Sequence, residues 1–196
     1  TVPATDAPNL SGVTDLGQMF FGAAAFNQPI DHWDVSNITS LYRTFRETTS
    51  FNQPLNNWNT SNVTNLVETF NNASSFNQPL NNWDVSNVTS MYALFLSTSF
   101  NQPLNSWDVS NVTDMFRLFV CTPFNQPLNS WNVSKVTTMV QMFGCWSSNP
   151  GASFNQPLNN WNTASVTSMV MMFANNSAFD QDLSSWDMTS IETVGS

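Results

Sequence analysis

The stretch FNQPLNNWDVSNVTS, residues 76–90, is one of seven near-copies of a single phrase in this chain of 196 residues. Each copy opens with an F-N/D-Q step, and these steps follow one another at spacings of 24 to 30 residues. The steps begin at Phe26, Phe51, Phe76, Phe100, Phe124, Phe154 and Phe179. A period in this range predicts repeats that cannot bury their apolar faces alone and must stack on one another.

Within one copy, the apolar residues follow two different local periods. Trp83, Asp84 and Val85 alternate between apolar and polar side chains, which is typical of a short strand. Met91, Leu94 and Phe95 recur at i, i+3 and i+4, which is typical of one face of a short helix. Each repeat is therefore predicted to contain a strand, a corner, a helical turn and a return.

Threonine and proline mark the predicted ends of that helical turn. Thr89 precedes the turn as a helix N-cap would, with its side-chain oxygen accepting a backbone amide proton. Pro79 follows Gln78 where the chain must leave the helical side without continuing it. Threonine recurs in the same position at Thr14, Thr39, Thr64, Thr113, Thr137 and Thr167.

The repeat resembles a known family. The segment L-N-N-W-D-V-S-N-V-T-S-M, residues 80–91, is similar to a degenerate leucine-rich repeat, L-x-x-L-x-L-x-x-N-x-L. The fuller unit, V-T-x-M-x-x-M/L-F followed by F-N-Q-P-L-N-x-W-D-V-S-N, resembles the repeats of BspA-like leucine-rich-repeat surface proteins, first catalogued in mycoplasmas as a domain of unknown function. This resemblance implies surface exposure and adhesion or partner binding, without implying one ligand.

We therefore expect an α/β solenoid: a right-handed, leucine-rich-repeat-like coil with a parallel sheet of short strands on one face and short helical turns on the other. Residues 1–12 are expected to form an N-terminal extension, residues 13–194 a single solenoid, and residues 195–196 a tail. The solenoid would consist of a half-turn and seven rungs of about 25 residues each.

In stacked repeats, each repeated residue type becomes a column of like side chains about 4.8 Å apart. The tryptophans form one column, at Trp33, Trp58, Trp83, Trp107, Trp131, Trp161 and Trp186. The phenylalanines of the helical turns form another, at Phe20, Phe45, Phe70, Phe95, Phe119, Phe143 and Phe173. A ligand-stacking stripe is the alternative, but the Val that usually stands two places after Trp favours a hydrophobic core.

A pair of polar columns is expected in the corner after the helical turn. It consists of Asn27, Asn52, Asn77, Asn101, Asn125, Asn155 and Asp180, each followed by Gln. Buried corners leave backbone groups unpaired, and amide side chains supply both donors and acceptors. We therefore predict a structural hydrogen-bond ladder, with a polar binding ridge as the alternative.

Candidate binding residues on the strand face occupy the outward position between Trp and the next inward residue. They are Asp34, Asn59, Asp84, Asp108, Asn132, Asn162 and Asp187. Their carboxylates and amides can hydrogen-bond sugars or peptides, or hold Ca²⁺ with hard oxygen ligands, and we expect no other metal. The alternative is a solvated polar face in which Asn between Asp residues reduces like-charge repulsion.

The repeat between Phe124 and Phe154 is longer than the others and carries Trp146. An exposed Trp on a loop is a candidate binding anchor, with folding back over Cys145 as the alternative.

Cys121 and Cys145 each lie two residues after the Phe of the helical turn in adjacent repeats. That placement favours a disulfide and an oxidising compartment over two buried thiols.

Composition narrows the class of protein. With 9% charged, 41% hydrophobic and 13% aromatic residues, the chain is expected to be ordered. A formal charge of −9 disfavours nucleic acid and anionic membrane surfaces as partners. No apolar stretch is long enough to span a bilayer, so direct membrane insertion is not expected. The variably placed charges at Arg43, Arg46, Glu47, Glu68 and Arg117 are expected to form an ordinary solvated surface.

Scarce lysine, abundant Asn, Ser and Thr, and nine N-x-S/T triplets indicate an extracellular or cell-surface location. The candidate N-glycosylation sites are Asn37, Asn62, Asn87 and Asn111. Catalytic chemistry is not expected, because His32 is the only histidine and no glycine-rich phosphate loop is present. We therefore predict a protein that is not an enzyme and carries no cofactor.

The most favoured function is adhesion or recognition, with a protein or glycan on another surface as the partner. The alternative is a structural subunit that assembles with neighbouring chains into a coat, filament or surface layer, because residues 191–194 begin a further turn without a polar cap. Ice binding by the threonine column is a third possibility. Ice binding by a flat array of hydroxyls would require a second outward-facing Thr in each repeat. The chain has Ser, Asn or Asp nearby instead.

Overall fold

Successive repeats lie on one another in parallel in the computed structural model, which describes residues 6–147 and 152–192. Backbone hydrogen bonds join neighbouring repeats: the amide of Leu41 donates to the carbonyl of Asn65 at 2.9 Å, and that of Met115 to Thr138 at 3.1 Å. Leu10, which the prediction assigns to the N-terminal extension, is buried in the core. The predicted end of the repeats at residue 194 and the tail at 195–196 lie outside the described residues.

Regular secondary structure is nearly absent from the described residues. They contain no helix, and the strand pairing consists of isolated parallel bridges. These bridges are Asp15↔Ser40, Ser40↔Asn65, Ser90↔Asp114, Asp114↔Thr138 and Thr138↔Ser168. The predicted α/β solenoid, with its leucine-rich-repeat-like sheet and helical turns, is therefore wrong: the chain is a compact stack of turns and irregular segments.

The predicted helical turns are instead turn segments, at residues 17–22, 42–47, 67–72, 92–97, 116–121, 140–143 and 170–175. Within them, every second amide closes a local four-residue turn, as Leu94 does to the carbonyl of Met91 at 3.2 Å. The remaining amides, which alternate with these, donate to carbonyls of the next repeat, as Phe95 does to the carbonyl of Leu118 at 3.1 Å. An α-helix needs each of these amides for its own i−4 carbonyl, so the inter-repeat bonds exclude it.

Left-handed backbone conformations also exclude a helix from the turn segments. Among the residues that the structure describes, twelve non-glycine residues have φ between 48° and 62°. They are Gln18, Arg43, Glu47, Glu68, Asn72, Ala93, Ser97, Arg117, Cys121, Gln141, Met171 and Asn175. A residue in this region cannot continue a right-handed helix and costs about 1 kcal/mol or more, which the inter-repeat bonds must offset.

Replacing Ser97 with valine is expected to lower the free energy of unfolding by about 1–2 kcal/mol, because a β-branched side chain fits φ of 55° poorly. Ser97→Gly should be neutral or stabilising, since glycine adopts this conformation without steric cost. Urea denaturation measures both changes. Ser50→Val is the matched control, since Ser50 is exposed and is not among the residues with positive φ. Equal losses at both serines would show that the backbone at Ser97 is not strained.

Aromatic columns form the core, as predicted. Phe70 and Phe95 of adjacent turn segments stack with ring centroids 5.8 Å apart, and Phe95 packs on Phe100 of its own repeat at 4.0 Å. Trp58 and Trp83 stack at 6.3 Å with nearly parallel rings. The six tryptophans of this column from Trp58 to Trp186 are buried, and Trp33 of the first repeat is half-buried. A ligand-stacking stripe is thus ruled out for this column.

Each buried indole also ties its repeat to the one before it. Trp83 Nε1 donates to the carbonyl of Leu55 at 2.9 Å, and Trp107 Nε1 to that of Leu80 at 2.9 Å. Trp58, Trp131, Trp161 and Trp186 make the equivalent bond. Because a buried indole N–H needs an acceptor, this bond explains why Trp stands at the position rather than Phe or Leu.

The predicted Asn/Gln ladder is confirmed. The side-chain oxygen of Asn52 accepts the amide of Asn77 at 2.9 Å and Nε2 of Gln78 at 3.1 Å. The same pair of bonds recurs from Asn27 to Gln181, and the amide of Asp180 donates to Asn155 Oδ1 at 3.0 Å. The amide side chains therefore supply acceptors for backbone donors that no strand partner satisfies.

The threonine column has a different role from the predicted one. Thr64 Oγ1 donates to the carbonyl of Thr39 at 3.2 Å, and the backbone amide of Thr64 donates to the same oxygen at 2.9 Å. Thr39, Thr113, Thr137 and Thr167 repeat the side-chain bond. The predicted helix N-cap is wrong, because these hydroxyls donate to a neighbouring repeat and no helix follows them.

Glu68 and the two arginines near it do not form the expected solvated surface. Glu68 is buried and pairs with Arg43 Nε and, at 2.7 Å, with Arg46 Nη1. Asn71 Nδ2 donates to the same carboxylate at 2.8 Å. Repeat stacking brings these charges together from adjacent turn segments, which spacing along one segment does not reveal.

Candidate functional site

The outward column between Trp and the next inward residue consists of turn residues. Asp84 Oδ1 accepts the amide of Ser86 at 2.9 Å, and Asp108 Oδ1 accepts that of Ser110 at 3.0 Å. Asp34, Asn59, Asn132, Asn162 and Asp187 make the same bond to the residue two places on. One side-chain oxygen of each candidate thus closes an Asx turn, a role that needs no ligand and explains why Asp and Asn interchange.

These side chains stay exposed, and the alternation is as predicted, with Trp83 and Val85 buried and Asp84 exposed. The segment is nevertheless not a strand. Within residues 6–147 and 152–192, no three or more His, Cys, Asp and Glu side chains are grouped as a metal site would require. Nothing in this arrangement favours the predicted Ca²⁺ site over a solvated polar face.

Hydrogen bonds to the turn lower the pKa of several of these carboxyls. The pKa of Asp187 lies below its ordinary value because the hydroxyl and the amide of Thr189 both donate to it, and Ser36 and Ser110 do the same for Asp34 and Asp108. A depressed pKa means that these bonds stabilise the fold above the carboxyl's unfolded pKa. That contribution is lost as the pH falls through the lower, folded value.

Thr189→Val is expected to raise the pKa of Asp187, because it removes a hydroxyl that donates to Oδ1 at 2.6 Å and preserves the shape of the side chain. A carboxyl-carbon NMR titration measures the shift, and Asp34 in the same spectra is the internal control. An unchanged Asp187 titration would show that the amide bond alone sets its pKa.

The four candidate glycosylation sites are exposed, but their side-chain nitrogens are engaged. Asn62 Nδ2 donates to the carbonyl of Ser36 at 2.7 Å, and Asn87 Nδ2 to that of Ser61 at 2.9 Å. Asn37 and Asn111 make the same bond one repeat back. The atom that a glycan would modify therefore already joins neighbouring repeats, and glycosylation stays a prediction.

The predicted disulfide between Cys121 and Cys145 is present, with the two Cα atoms 4.5 Å apart. It connects adjacent repeats at equivalent positions. Trp146 follows directly and is 54% exposed, as a binding anchor must be. Residues 148–151 of the longer repeat lie outside the described residues.

Tyr92, Phe116, Arg117 and Trp146 form a continuous surface beside the disulfide, which we call the aromatic patch. The rings of Tyr92 and Phe116 stack at 5.3 Å. The Arg117 guanidinium carbon lies 4.8 Å from the centroid of Phe116 and 5.8 Å from that of Trp146. The residue patterns did not single out the two smaller rings. The position three places before the column Phe is Gly or Val in four repeats and aromatic in three, at Tyr42, Tyr92 and Phe116.

A second hydrophobic cluster supports the patch. Ala93, Leu96 and Val120 are buried together, with half-buried Tyr92 and Cys121 packed against them. The position of Ala93 holds a charged residue in some other repeats. The position of Leu96 holds Arg46 in the second repeat and Asn71 in the third. The outer side of the turn segments is therefore polar in the second and third repeats and apolar here.

Arg117 differs from the other arginines in its partners. Its Nε donates to Gln141 Oε1 at 2.6 Å, and no carboxylate in the described part of the chain lies within ion-pair distance of it. Its two terminal nitrogens have no acceptor among the described residues. Arg43 and Arg46, in contrast, share the carboxylate of Glu68.

A separate apolar cavity of about 350 Å³ lies at the last described repeat. Its lining includes Met169, Met172, Leu183 and Trp186, with Met171 and Met188 at its exposed rim. Among the described residues, its lining is made of methionine, leucine and aromatic side chains. As for membranes, the described residues include no helix with the length and apolar character needed to cross a bilayer.

Comparison with known proteins identifies one family. The family described as "Mycoplasma protein of unknown function, DUF285" matches the chain three times, over residues 3–99, 56–151 and 148–196. No curated protein and no solved structure gives a significant match. The three overlapping matches agree with the repeats seen in the structure.

Proposed function

The chain belongs to this Mycoplasma family of repeat proteins, and we propose that it is an extracellular or cell-surface module that recognises a protein or a glycan through the aromatic patch. The observation that carries the proposal is the break in the repeat pattern at the patch. Columns that serve the stack keep one residue type from repeat to repeat. Tyr92 and Phe116 share a position that varies between Gly, Val and aromatic residues, and Trp146 lies outside every column, so stacking alone does not account for the three.

Exposure of Trp146 supports the same function. A side chain of this size left 54% exposed does not contribute its full area to the core, and exposed aromatics beside Arg are typical of interface anchors. Its neighbour Cys145 is fixed by the disulfide, which limits the motion of the anchor before binding.

Two further points support an extracellular location. Disulfides persist mainly in oxidising compartments, and the Cys121–Cys145 bond joins two repeats directly. The sequence of the repeat also resembles that of BspA-like surface proteins, which implies exposure at a cell surface. On this proposal the partner lies on another surface and the chain acts without a cofactor or catalysis.

The proposal is tested by probing arrays of glycans and extracellular proteins with the fluorescently labelled chain. Wild type should bind a subset of spots, and Trp146→Ala should weaken that binding by about tenfold or more, as expected for an interface anchor. Met171→Ala is the matched control, because Met171 is 52% exposed but lies outside the patch. Failure of wild type to bind either array, or equal binding by Trp146→Ala, would contradict the proposal.

A structural subunit is the second candidate, favoured by apolar side chains at both ends of the described stack. Met19 and Phe21 are exposed in the first turn segment, and Met171 and Met188 are exposed in the last repeats. If these surfaces associate, sedimentation should show concentration-dependent oligomers that Phe21→Ser and Met171→Ser abolish. A monomer at all concentrations would exclude this candidate.

A further inference from the structure

We infer that the aromatic patch binds a saccharide that carries a carboxylate, with a sugar ring stacked on Trp146 and the carboxylate on the guanidinium of Arg117. This inference rests on the proposed function and names the ligand class for the same surface. Three features of the patch carry it: an exposed indole face, a guanidinium with unused donors, and a backbone that is already paired at Phe116 and Arg117.

Trp146 and its aromatic neighbours supply the stacking surface. The face of an indole carries negative charge density, and the C–H groups on one face of a pyranose ring are weakly positive, so the two attract each other. Because Tyr92 and Phe116 continue the surface across two adjacent repeats, it offers room for more than one sugar ring.

Arg117 supplies the charge selectivity. With Nε bonded to Gln141, the guanidinium is held in one orientation between Phe116 and Trp146, and its terminal nitrogens remain available. A carboxylate accepts two parallel hydrogen bonds from such a group. The guanidinium already lies over an aromatic face, so a sugar carboxylate can reach it while the ring stacks on the indole.

The charge balance of the chain favours a ligand with few charges. The chain has a formal charge of −9, which repels a polyanion over long range. Its other Lys and Arg side chains have partners outside the patch: Arg43 and Arg46 pair with Glu68, and Lys135 Nζ donates to Asn111 Oδ1 at 2.7 Å. A saccharide with a single acidic sugar avoids most of the repulsion and still uses Arg117.

A peptide fits the patch less well, because the backbone of Phe116 and Arg117 is already paired within the stack. The amide of Arg117 donates to the carbonyl of Val140 at 3.0 Å, and that of Phe116 to Asp114 Oδ1 at 2.9 Å. The carbonyl of Phe116 accepts the amide of Ala93 at 2.9 Å. Extended peptides depend on such edges, whereas stacked sugars depend on side chains.

The test compares two matched pairs of ligands by NMR titration of the Trp146 indole signal: 3′-sialyllactose against lactose, and methyl glucuronide against methyl glucoside. In at least one pair, the acidic member should bind about tenfold more tightly, as expected for a charge-assisted contact. Arg117→Gln should remove that difference, and Trp146→Ala should abolish binding of both members, followed on the ligand signals. Lys135→Gln, which changes the net charge equally, should leave the difference intact.

The possible contrary results separate this inference from the proposed function. Equal affinity for acidic and neutral sugars in both pairs, or an acidic preference that survives Arg117→Gln, overturns the acidic-sugar inference while leaving recognition by the patch in place. Binding of the peptide acetyl-Gly-Asp-Gly-amide with no saccharide binding overturns it in favour of an acidic peptide. Array binding that does not depend on Trp146 overturns the proposed function as well.

Discussion

Replacing Phe95 with alanine is expected to lower the free energy of unfolding by about 4 kcal/mol, the middle of the range for loss of a buried aromatic ring. Phe95 is fully buried at the centre of the stack. Its ring packs against rings on both sides, with centroids 4.0 Å from Phe100, 5.8 Å from Phe70 and 5.7 Å from Phe119. The stacked columns leave little freedom to close the cavity, so most of the cost should remain.

Urea denaturation monitored by circular dichroism measures this loss. Phe21→Ala is the matched control: Phe21 lies in the first turn segment, is 45% exposed, and should cost well under about 1 kcal/mol. If the two variants lose similar stability, the phenylalanine column does not form a tightly packed core. A broadened transition in Phe95→Ala would indicate that the repeats on its two sides unfold separately.

Loss of the disulfide is expected to lower the free energy of unfolding by about 3 kcal/mol. The bond joins residues separated by 24 positions, and closing a loop of that length restricts the unfolded chain by about this amount. It also holds the repeat that carries the long insertion against its neighbour. The double variant Cys121→Ala, Cys145→Ala should therefore melt roughly 10 °C below wild type.

The disulfide prediction is checked by thermal denaturation with and without a reductant. Reduction should lower the melting temperature of wild type to about that of the double variant and leave the double variant unchanged. If reduction does not alter the wild-type curve, the two cysteines are not bonded in solution. In that case the bond no longer supports an oxidising compartment for this chain.

Several features of the fold could be predicted because they depend only on repeat length. Near-constant spacing places Trp83 above Trp58 and Cys145 beside Cys121, whatever path the backbone takes between them. The same reasoning identified the Asn/Gln ladder. In each case, the prediction concerned which side chains meet, and the structure confirmed it.

Other features could not be predicted from residue patterns. Glycine marks left-handed positions in most proteins, but here they are held by residues such as Ala93, Ser97 and Arg117. Glu68 stands one repeat away from Arg43, so its burial depends on stacking rather than on local sequence. Trp146 was recognisable as an odd residue in the repeat, whereas Tyr92 and Phe116 become a surface only once three repeats are in place.

The sequence by itself determined the stacking of like residues, and with it the core, the ladder and the pairing of the cysteines. Only the tertiary structure decided the backbone between them. Apolar residues at i, i+3 and i+4, such as Met91, Leu94 and Phe95, suit a helix and a chain of tight turns equally well. The amide of Phe95 donates to Leu118 in the next repeat rather than to its own segment, and that acceptor exists only after the repeats have assembled.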